Sequence, residues 1–249
     1  MINIEKTNVV GFEDAIRGMR NPKNSWDRSD SGICKGGDNG IGCDNCVEIC
    51  RCDHEYDNLW KLGKNDHHLM ESLAAGGPVH AKYRRMITVY VDVTAPLYWW
   101  KEYDTYKVGT VANSCSTMHK LTYKKFEVED FSHDYLIQHA FSTAYNPATR
   151  TKTKAYGLFL QTIDVLNYYR DLYLAATDEE YKKTMWQQMI QLLPSSYNQK
   201  RTLMLNYEVL SNIYYWRHNH KLDEWHTFCD WIRTLPYADL IIGEKGEDI

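Results

Sequence analysis

The sequence predicts an α+β fold whose carboxy-terminal half is mainly helical, and two observations carry that expectation. From Arg84 to Thr94, Ile87, Val89, Val91 and Val93 alternate with Thr88, Tyr90, Asp92 and Thr94. A period of two with β-branched residues on one face marks a half-buried strand. Beyond Ala155 the period becomes helical, with Leu158, Ile163, Leu166, Tyr169 and Leu172 spaced to share faces through Ala175. At 249 residues the chain can build one large core or two small ones. A single domain over residues 1–249 is expected, with a Cys-rich insertion at about 31–53.

The elements follow in order. Residues 2–10 read as a strand, and GFEDAIRGM as a short helix with Glu13 and Asp14 near its start, where the dipole favours negative charge. From Asn21 to about Asp53, Gly, Asn, Asp and Ser dominate and predict irregular structure. Asn65 is placed to cap a helix over DHHLMESLAAG, closed by Gly76-Gly77-Pro78. Pro96 ends the alternating strand and opens a short helix through Tyr103. KLTYKKFEVEDF, after His119, reads as extended. Thr177 and Glu180 form a capping-box pattern opening a helix to Leu193, which Pro194-Ser195-Ser196 breaks. A further helix runs to about Arg217, and Leu222–Leu235 supplies the last.

Composition narrows the function classes. A net charge of −4 leaves no electrostatic footprint for a nucleic-acid polymer. No run approaches the roughly 18 apolar residues of a membrane span. MINIEKTNVVGFEDAIRGMR lacks a signal peptide's apolar core and cleavage site, so a cytoplasmic location is expected. Seven cysteines, an odd number, argue against a secreted disulfide framework. Cys43, Cys46, Cys50 and Cys52, with Cys34 upstream, are soft ligand types suited to zinc or an iron–sulfur cluster. Their C-x2-C-x3-C-x-C spacing matches no zinc pattern and lacks a second knuckle, so a Gly/Asp-rich loop with reduced thiols and no metal is the favoured reading.

The stretch most suggestive of chemistry is Pro96 to His119, PLYWWKEYDTYKVGTVANSCSTMH, which is dense in aromatic, hydroxyl and amide groups and is expected to line a pocket. Tyr98, Trp99, Trp100, Tyr103 and Tyr106 suit stacking on a planar ring, and also core or subunit packing. Ser114, Cys115 and Ser116 are nucleophile types, but His119 alone is no positioned base, so covalent catalysis is not expected. Farther on, Asn206 and Arg217 stand eleven residues apart, within about 20° of one helix face and about 16 Å along it. Leu210 and Ile213 lie between them. Two readings stay open: an apolar stripe with polar ends spanning an elongated ligand, or an Asn near one helix end and an Arg complementing the dipole at the other. His218, His220, Asp223 and His226 lack the HExxH pairing, and His220 with Glu224 reads as a solvated helix face.

From about Leu69 to Trp231 the chain resembles the flavin-dependent thymidylate synthases (ThyX), through four segments in matching order. LMESLAAGGPVHAKYRRMITVYVDVTAPLYWWKEYDTYK is similar to that family's helix, Gly-His element, strand, Pro and Gln-x-x-Arg-His-Arg run. KLTYKKF resembles the segment after the family signature. LPSSYNQKRTLMLNYEVLSNIYYWR resembles its Leu-Pro … Asn-x-Arg-x-Leu-x-Asn-Phe-x-x-Leu-Arg helix, and LDEWHTFCDWIRTLP its terminal Ala-Gln-x-Glu-Ile helix. The resemblance implies a ThyX-like fold with a central mixed or antiparallel sheet. It implies FAD as cofactor, a homotetramer with flavin sites at subunit junctions, and methylation at C5 of a pyrimidine deoxynucleotide such as dUMP. NADPH and methylenetetrahydrofolate would be the co-substrates. The alternatives are a same-fold enzyme with another nucleotide or a hydroxymethyl product, and a non-catalytic flavin- or nucleotide-binding homologue.

Carried over residue by residue, the resemblance makes Arg217 the catalytic group that contacts and polarises the pyrimidine. His80, Lys82, Thr105, Tyr106, Lys107, Asn113, Asn206 and Asn212 fall on the cofactor side, and Glu102, Ser114, Cys115 and Ser116 join Arg217 on the substrate side. The departures are specific. Arg-His-Arg becomes Thr105-Tyr106-Lys107, and Gln becomes Glu102. A phosphate Arg before Leu-Pro becomes Ile190, and the Arg within the helix becomes Glu208. Each lost guanidinium removes a bidentate phosphate fork. Either Lys82, Arg84, Arg85 or Lys200 substitutes, or the substrate differs.

Overall fold

A computed structural model describes residues 2–33, 60–116, 120–136, 143–146 and 151–243. The fold is α+β. Its strands are β1 (Asn3–Val10), β2 (Gly32–Ile33), β3 (Trp60–Lys61), β4 (Thr88–Pro96), β5 (Val111–Ser114), β6 (Thr143–Asn146), β7 (Thr151–Lys154) and β8 (Asn198–Asn206). The helices are α1 (Phe12–Arg20), α2 (Lys64–Ala75), α3 (Leu97–Tyr103), α4 (Ala155–Ala175), α5 (Glu179–Leu192), α6 (Tyr207–Arg217), α7 (Asp223–Arg233) and α8 (Asp239–Ile242). Four strands form one sheet in the order β1-β4-β8-β5, while β2–β3 and β6–β7 are two-stranded antiparallel pairs. The alternation read from sequence sets β4: Val89, Val91, Val93 and Ala95 are buried and Tyr90 is exposed. No helix among the described residues is long and apolar enough to cross a membrane.

β8 corrects the sequence reading, which followed the resemblance and ran a helix through this segment. Leu203 and Leu205 are fully buried while Thr202 between β8's charged residues and Leu203 is exposed, a period of two that only pairing within a sheet satisfies. The described residues fall into two compact units, one of residues 1–5, 92–105 and 112–202, the other of 6–91, 106–111 and 203–249. The Cys-rich stretch with Cys43, Cys46, Cys50 and Cys52 lies outside the described residues, as does His119.

In the first unit, Trp99, Trp100 and Tyr103 occupy one face of α3 and are buried against one another, with ring centroids 4.9 and 5.3 Å apart. Trp100 Nε1 donates to the Gln199 carbonyl at 2.8 Å, and the Arg201 guanidinium lies 4.3 Å over its ring while bonding Asp104 at 2.8 Å. These three aromatics are core, the second of the two uses expected of the aromatic run. The spacing i, i+1, i+4 within a short helix had already put them on one side. A second core gathers Leu121, Phe126, Phe131, Phe159, Ile163, Leu166 and Met189 around α4 and α5. The segment 120–131 is turns and a 3-10 turn (Val128–Asp130) rather than extended, because the Asn167 amide binds both the N–H and the carbonyl of Phe126 at 2.9 Å. Asp178, one residue past the expected Thr177, caps α5 by accepting from Tyr181 N at 2.7 Å.

The second unit is built on a buried ion pair. Arg20 Nε lies 2.6 Å from Asp66 Oδ1, and both side chains are almost wholly buried. The other carboxylate oxygen accepts from the hydroxyls of Ser31 and Ser29 at 2.6 and 2.7 Å and from two backbone N–H groups. Burial alone would raise this carboxyl's pKa; the hydrogen bonds from Ser31, Ser29 and Arg20 more than offset it and hold it below the ordinary value. Asn65 does not cap α2. Asp30, far upstream, accepts from Asn65 N at 2.8 Å and Asp66 N at 3.1 Å and does the capping from outside.

His67 joins α2 to α8. Its Nε2 lies 2.5 Å from Asp239 Oδ2 and its Nδ1 3.5 Å from Glu71. The Asp239 bond raises the imidazole pKa against the opposing effect of burial, and the Asp239 and Glu71 charges add to the rise. A raised folded pKa means this stability is complete below the ordinary histidine value and is lost as pH rises through the folded one. Wild-type melting temperature should therefore fall between about pH 6 and pH 8 more steeply than that of His67→Gln. Parallel slopes would refute the linkage.

Candidate functional site

Arg217 is the last residue of α6, and its guanidinium is anchored from two other segments. Its Nε donates to the Tyr106 hydroxyl at 2.8 Å. Its plane lies 4.8 Å from the centre of the Trp225 ring on α7 and 5.5 Å from that of Tyr106. Tyr106 and Trp225 meet edge to face at 6.0 Å. A cation laid on two aromatic faces, with one donor committed to a phenol, has its orientation set before any ligand arrives. Trp225, fully buried, is the part of this arrangement that sequence reading missed. Its spacing with Phe228 and Ile232 is that of a core stripe, and nothing local marks it as an arginine platform.

Asn206 closes β8 and caps α6. In an extended conformation, its Oδ1 accepts from Val209 N at 3.0 Å. The reading of Asn206 and Arg217 as the two ends of a helix therefore stands. The alternative of a ligand along the stripe between them does not, because Leu210 and Ile213 are fully buried in the core. Tyr106 to Thr110 forms a tight turn, with the Thr110 hydroxyl donating to the Tyr106 carbonyl at 2.8 Å. Gly109 makes the approach to α6 possible: at φ +78, a Cβ there would sit 3.3 Å from both Asn206 Nδ2 and Val209 Cγ2. Gly109→Ala should lower unfolding stability by about 1–2 kcal/mol, read from the midpoint of a urea melt. An unchanged midpoint would show that the turn is not held there.

Lys107 and Val108 at the tip of this turn are exposed, as are His80, Lys82, Arg85 and Asn212. Arg84 is half-buried and its Nη1 donates to Ser211 Oγ at 3.4 Å. Glu208 stands nine residues before Arg217, about 180° around α6 from it. Burial raises the pKa of the Tyr83 hydroxyl, the nearby Arg84 cation opposes that rise, and the Asp239 and Glu208 charges add to it.

In the first unit, Asn113, Ser114 and Cys115 lie exposed on or beside β5, and Ser116 is half-buried. Cys115 N donates to the Lys200 carbonyl at 2.9 Å and its own carbonyl accepts from Gln199 Nε2 at 2.9 Å. Half-buried Glu102 receives the Thr105 hydroxyl on its carbonyl at 2.8 Å, which ends α3. Lys200 is held between Glu5 at 3.1 Å and Asp92 at 3.2 Å, so its charge is already matched within the fold.

The histidines after α6 have local duties. His218 Nδ1 contacts the Tyr214 carbonyl at 2.9 Å, and His220 Nδ1 accepts from Leu222 N at 3.2 Å. Among the described residues, metal-ligand groups gather at His67, Glu71 and Asp239, within 4.8 Å of one another, where the His67–Asp239 hydrogen bond and the His67–Glu71 ion-pair contact already join them.

No protein-family model matches the chain, and no curated protein matches it significantly. Solved structures do share its fold. Thymidylate synthase X (ThyX) from Helicobacter pylori with FAD and dUMP aligns with a TM-score of 0.58 at 13% identity, over 98% of this chain and 98% of that one. A second Helicobacter pylori structure, flavin dependent thymidylate synthase ThyX complexed with FAD and dUMP, gives 0.58 at 14% identity over 97% and 98%. The UMP/dUMP methylase PolB from Streptomyces cacaoi, bound with 5-Br UMP, gives 0.53 at 11% identity over 94% and 88%.

Proposed function

From the fold of the flavin-dependent thymidylate synthases, which this chain has, we propose that it is a flavin-dependent enzyme transferring one carbon to C5 of a pyrimidine deoxynucleotide such as dUMP. The observation that carries this reading is the anchored guanidinium of Arg217, the residue that the sequence resemblance assigns to the pyrimidine. A cation fixed before binding stabilises negative charge developing on a ring without reorganising, and so makes C5 more nucleophilic. His80, Lys82, Tyr106, Lys107, Asn206 and Asn212 would hold FAD. They fit it in kind: exposed ammonium and imidazole groups suit the diphosphate, and carboxamides suit the ring edge. Asn206 would serve through Nδ2, since Oδ1 caps α6. The flavin, when bound, supplies two-electron chemistry between NADPH and the one-carbon unit of methylenetetrahydrofolate.

Assembly as a homotetramer belongs to the same proposal. Tyr215 and Trp216 on α6 are 58% and 66% exposed, and Leu158 and Tyr168 on α4 are 57% and 61% exposed, which is much apolar surface for a monomer to leave in water. A second reading, altered nucleotide or hydroxymethyl product, is favoured by Thr105-Tyr106-Lys107 and Ile190 standing where the resemblance has phosphate arginines. The absorption spectrum of the purified protein tests both. Flavin bands with rescue of a thymidine-requiring strain support the first reading, and flavin without rescue the second. A colourless protein that binds no flavin overturns both.

A further inference from the structure

We propose that a cavity of the second unit binds a small, neutral aromatic carboxamide, with its ring against two indoles and its amide between Arg20 and Ser29. The cavity shares no residue with those assigned to flavin or nucleotide, and the inference goes beyond the proposed function.

The cavity has a volume of about 250 Å³. Glu13, Ile16, Arg17 and Arg20 line it from α1, at spacings of three and four that share one side of a helix. Trp26 and Trp60 join Ile16 in its apolar lining. Both indoles are held by groups outside the cavity. Trp26 Nε1 donates to Asn21 Oδ1 at 2.9 Å, and the Trp60 ring stacks on Phe12 with centroids 5.5 Å apart. A cavity of about 150 Å³ already takes benzene, so this one has room for a single ring with one substituent.

The polar groups define that substituent. Arg20 commits Nε to Asp66 Oδ1 at 2.6 Å and Nη1 to the Ser25 carbonyl at 3.2 Å. Its Nη2 has no acceptor among the described residues, although the side chain is almost wholly buried. A donor so deep calls for a partner. Ser29 is the reverse case. Its one hydrogen goes to Asp66 Oδ2 at 2.7 Å, so it offers a ligand lone pairs only. Both residues bond the same carboxylate, which sets a donor near an acceptor. A primary amide matches the two, its carbonyl accepting from Arg20 Nη2 and its N–H donating to Ser29 Oγ. A carboxylate would set lone pairs against those of Ser29. It would also bring charge where Asp66 already matches Arg20, Asp14 matches Arg17, and exposed Glu13 is negative. An aromatic amine lacks the acceptor that Nη2 needs.

Purified full-length protein, titrated with benzamide, N,N-dimethylbenzamide, benzoate and aniline and read by calorimetry and tryptophan fluorescence, tests this. Benzamide should bind about tenfold more tightly than each of the other three, since each of them leaves a cavity group unpaired. Trp26→Leu alters an exposed position outside the core, so its melting temperature should match wild type. It should lose about fivefold in benzamide affinity with the indole gone. Equal affinity for benzamide and its dimethyl or carboxylate analogue overturns the inference without any variant. Undiminished benzamide binding by Trp26→Leu overturns it too, as does wild type that binds no benzamide. Flavin and nucleotide do not enter these measurements, so failure here leaves the proposed function standing.

Discussion

Asp66→Asn should lower unfolding stability by about 3–5 kcal/mol, an effect large enough to threaten folding of a domain of ordinary stability. The change removes the carboxylate from Arg20, which is 4% exposed, and leaves a cation with no matching charge beside it in the core of the second unit. It also withdraws a charged acceptor from four donors around Ser29 to Ser31. Because the cost comes from the stranded guanidinium, adding Arg20→Met should recover part of the loss. Urea melts of the two singles and the double form the cycle. An additive result would mean the pair is not coupled. The pH dependence follows from the sign of the shift. The folded pKa of Asp66 lies below its unfolded value, so its contribution is present above the ordinary carboxylate range and is lost as pH falls through the folded pKa. Stability of Asp66→Asn should therefore change less with acidification than that of wild type.

Arg217→Ala should reduce turnover by about 10²–10³-fold while flavin content stays near wild type. On the proposed function the residue meets the pyrimidine and not the cofactor, so absorbance should hardly move while the nucleotide-dependent rate collapses. Arg217→Lys keeps the charge but not the Nε–H that meets Tyr106 or the flat cation that lies on Trp225. Recovery in the lysine variant should accordingly be small. Single-turnover measurement of methyl transfer separates the outcomes. A rate unchanged in the alanine variant removes Arg217 from the chemistry, and loss of flavin in place of rate moves it to the cofactor.

The legible parts of the fold were those whose cause is local. β4 needed only its own alternation, α4 only its own spacing, and Arg217 at the end of α6 followed from the order of one segment. β8 was not legible, because NQKRTLMLN becomes a strand through the neighbours it pairs with and its own residues do not forbid a helix. The α2 cap was hidden for a similar reason: the acceptor is Asp30, and Asn65, the local candidate, is itself capped. In the aromatic run, Trp99, Trp100 and Tyr103 went to the core while Tyr106, three residues on, went to Arg217.

By itself, the sequence determined the α+β class and the helical second half, since the spacing of apolar residues is a property of short segments. Tertiary structure alone decided that a tyrosine from a turn and a tryptophan from α7 hold the arginine of α6. No local pattern records that meeting, because contacts between distant segments depend on the path of the whole chain.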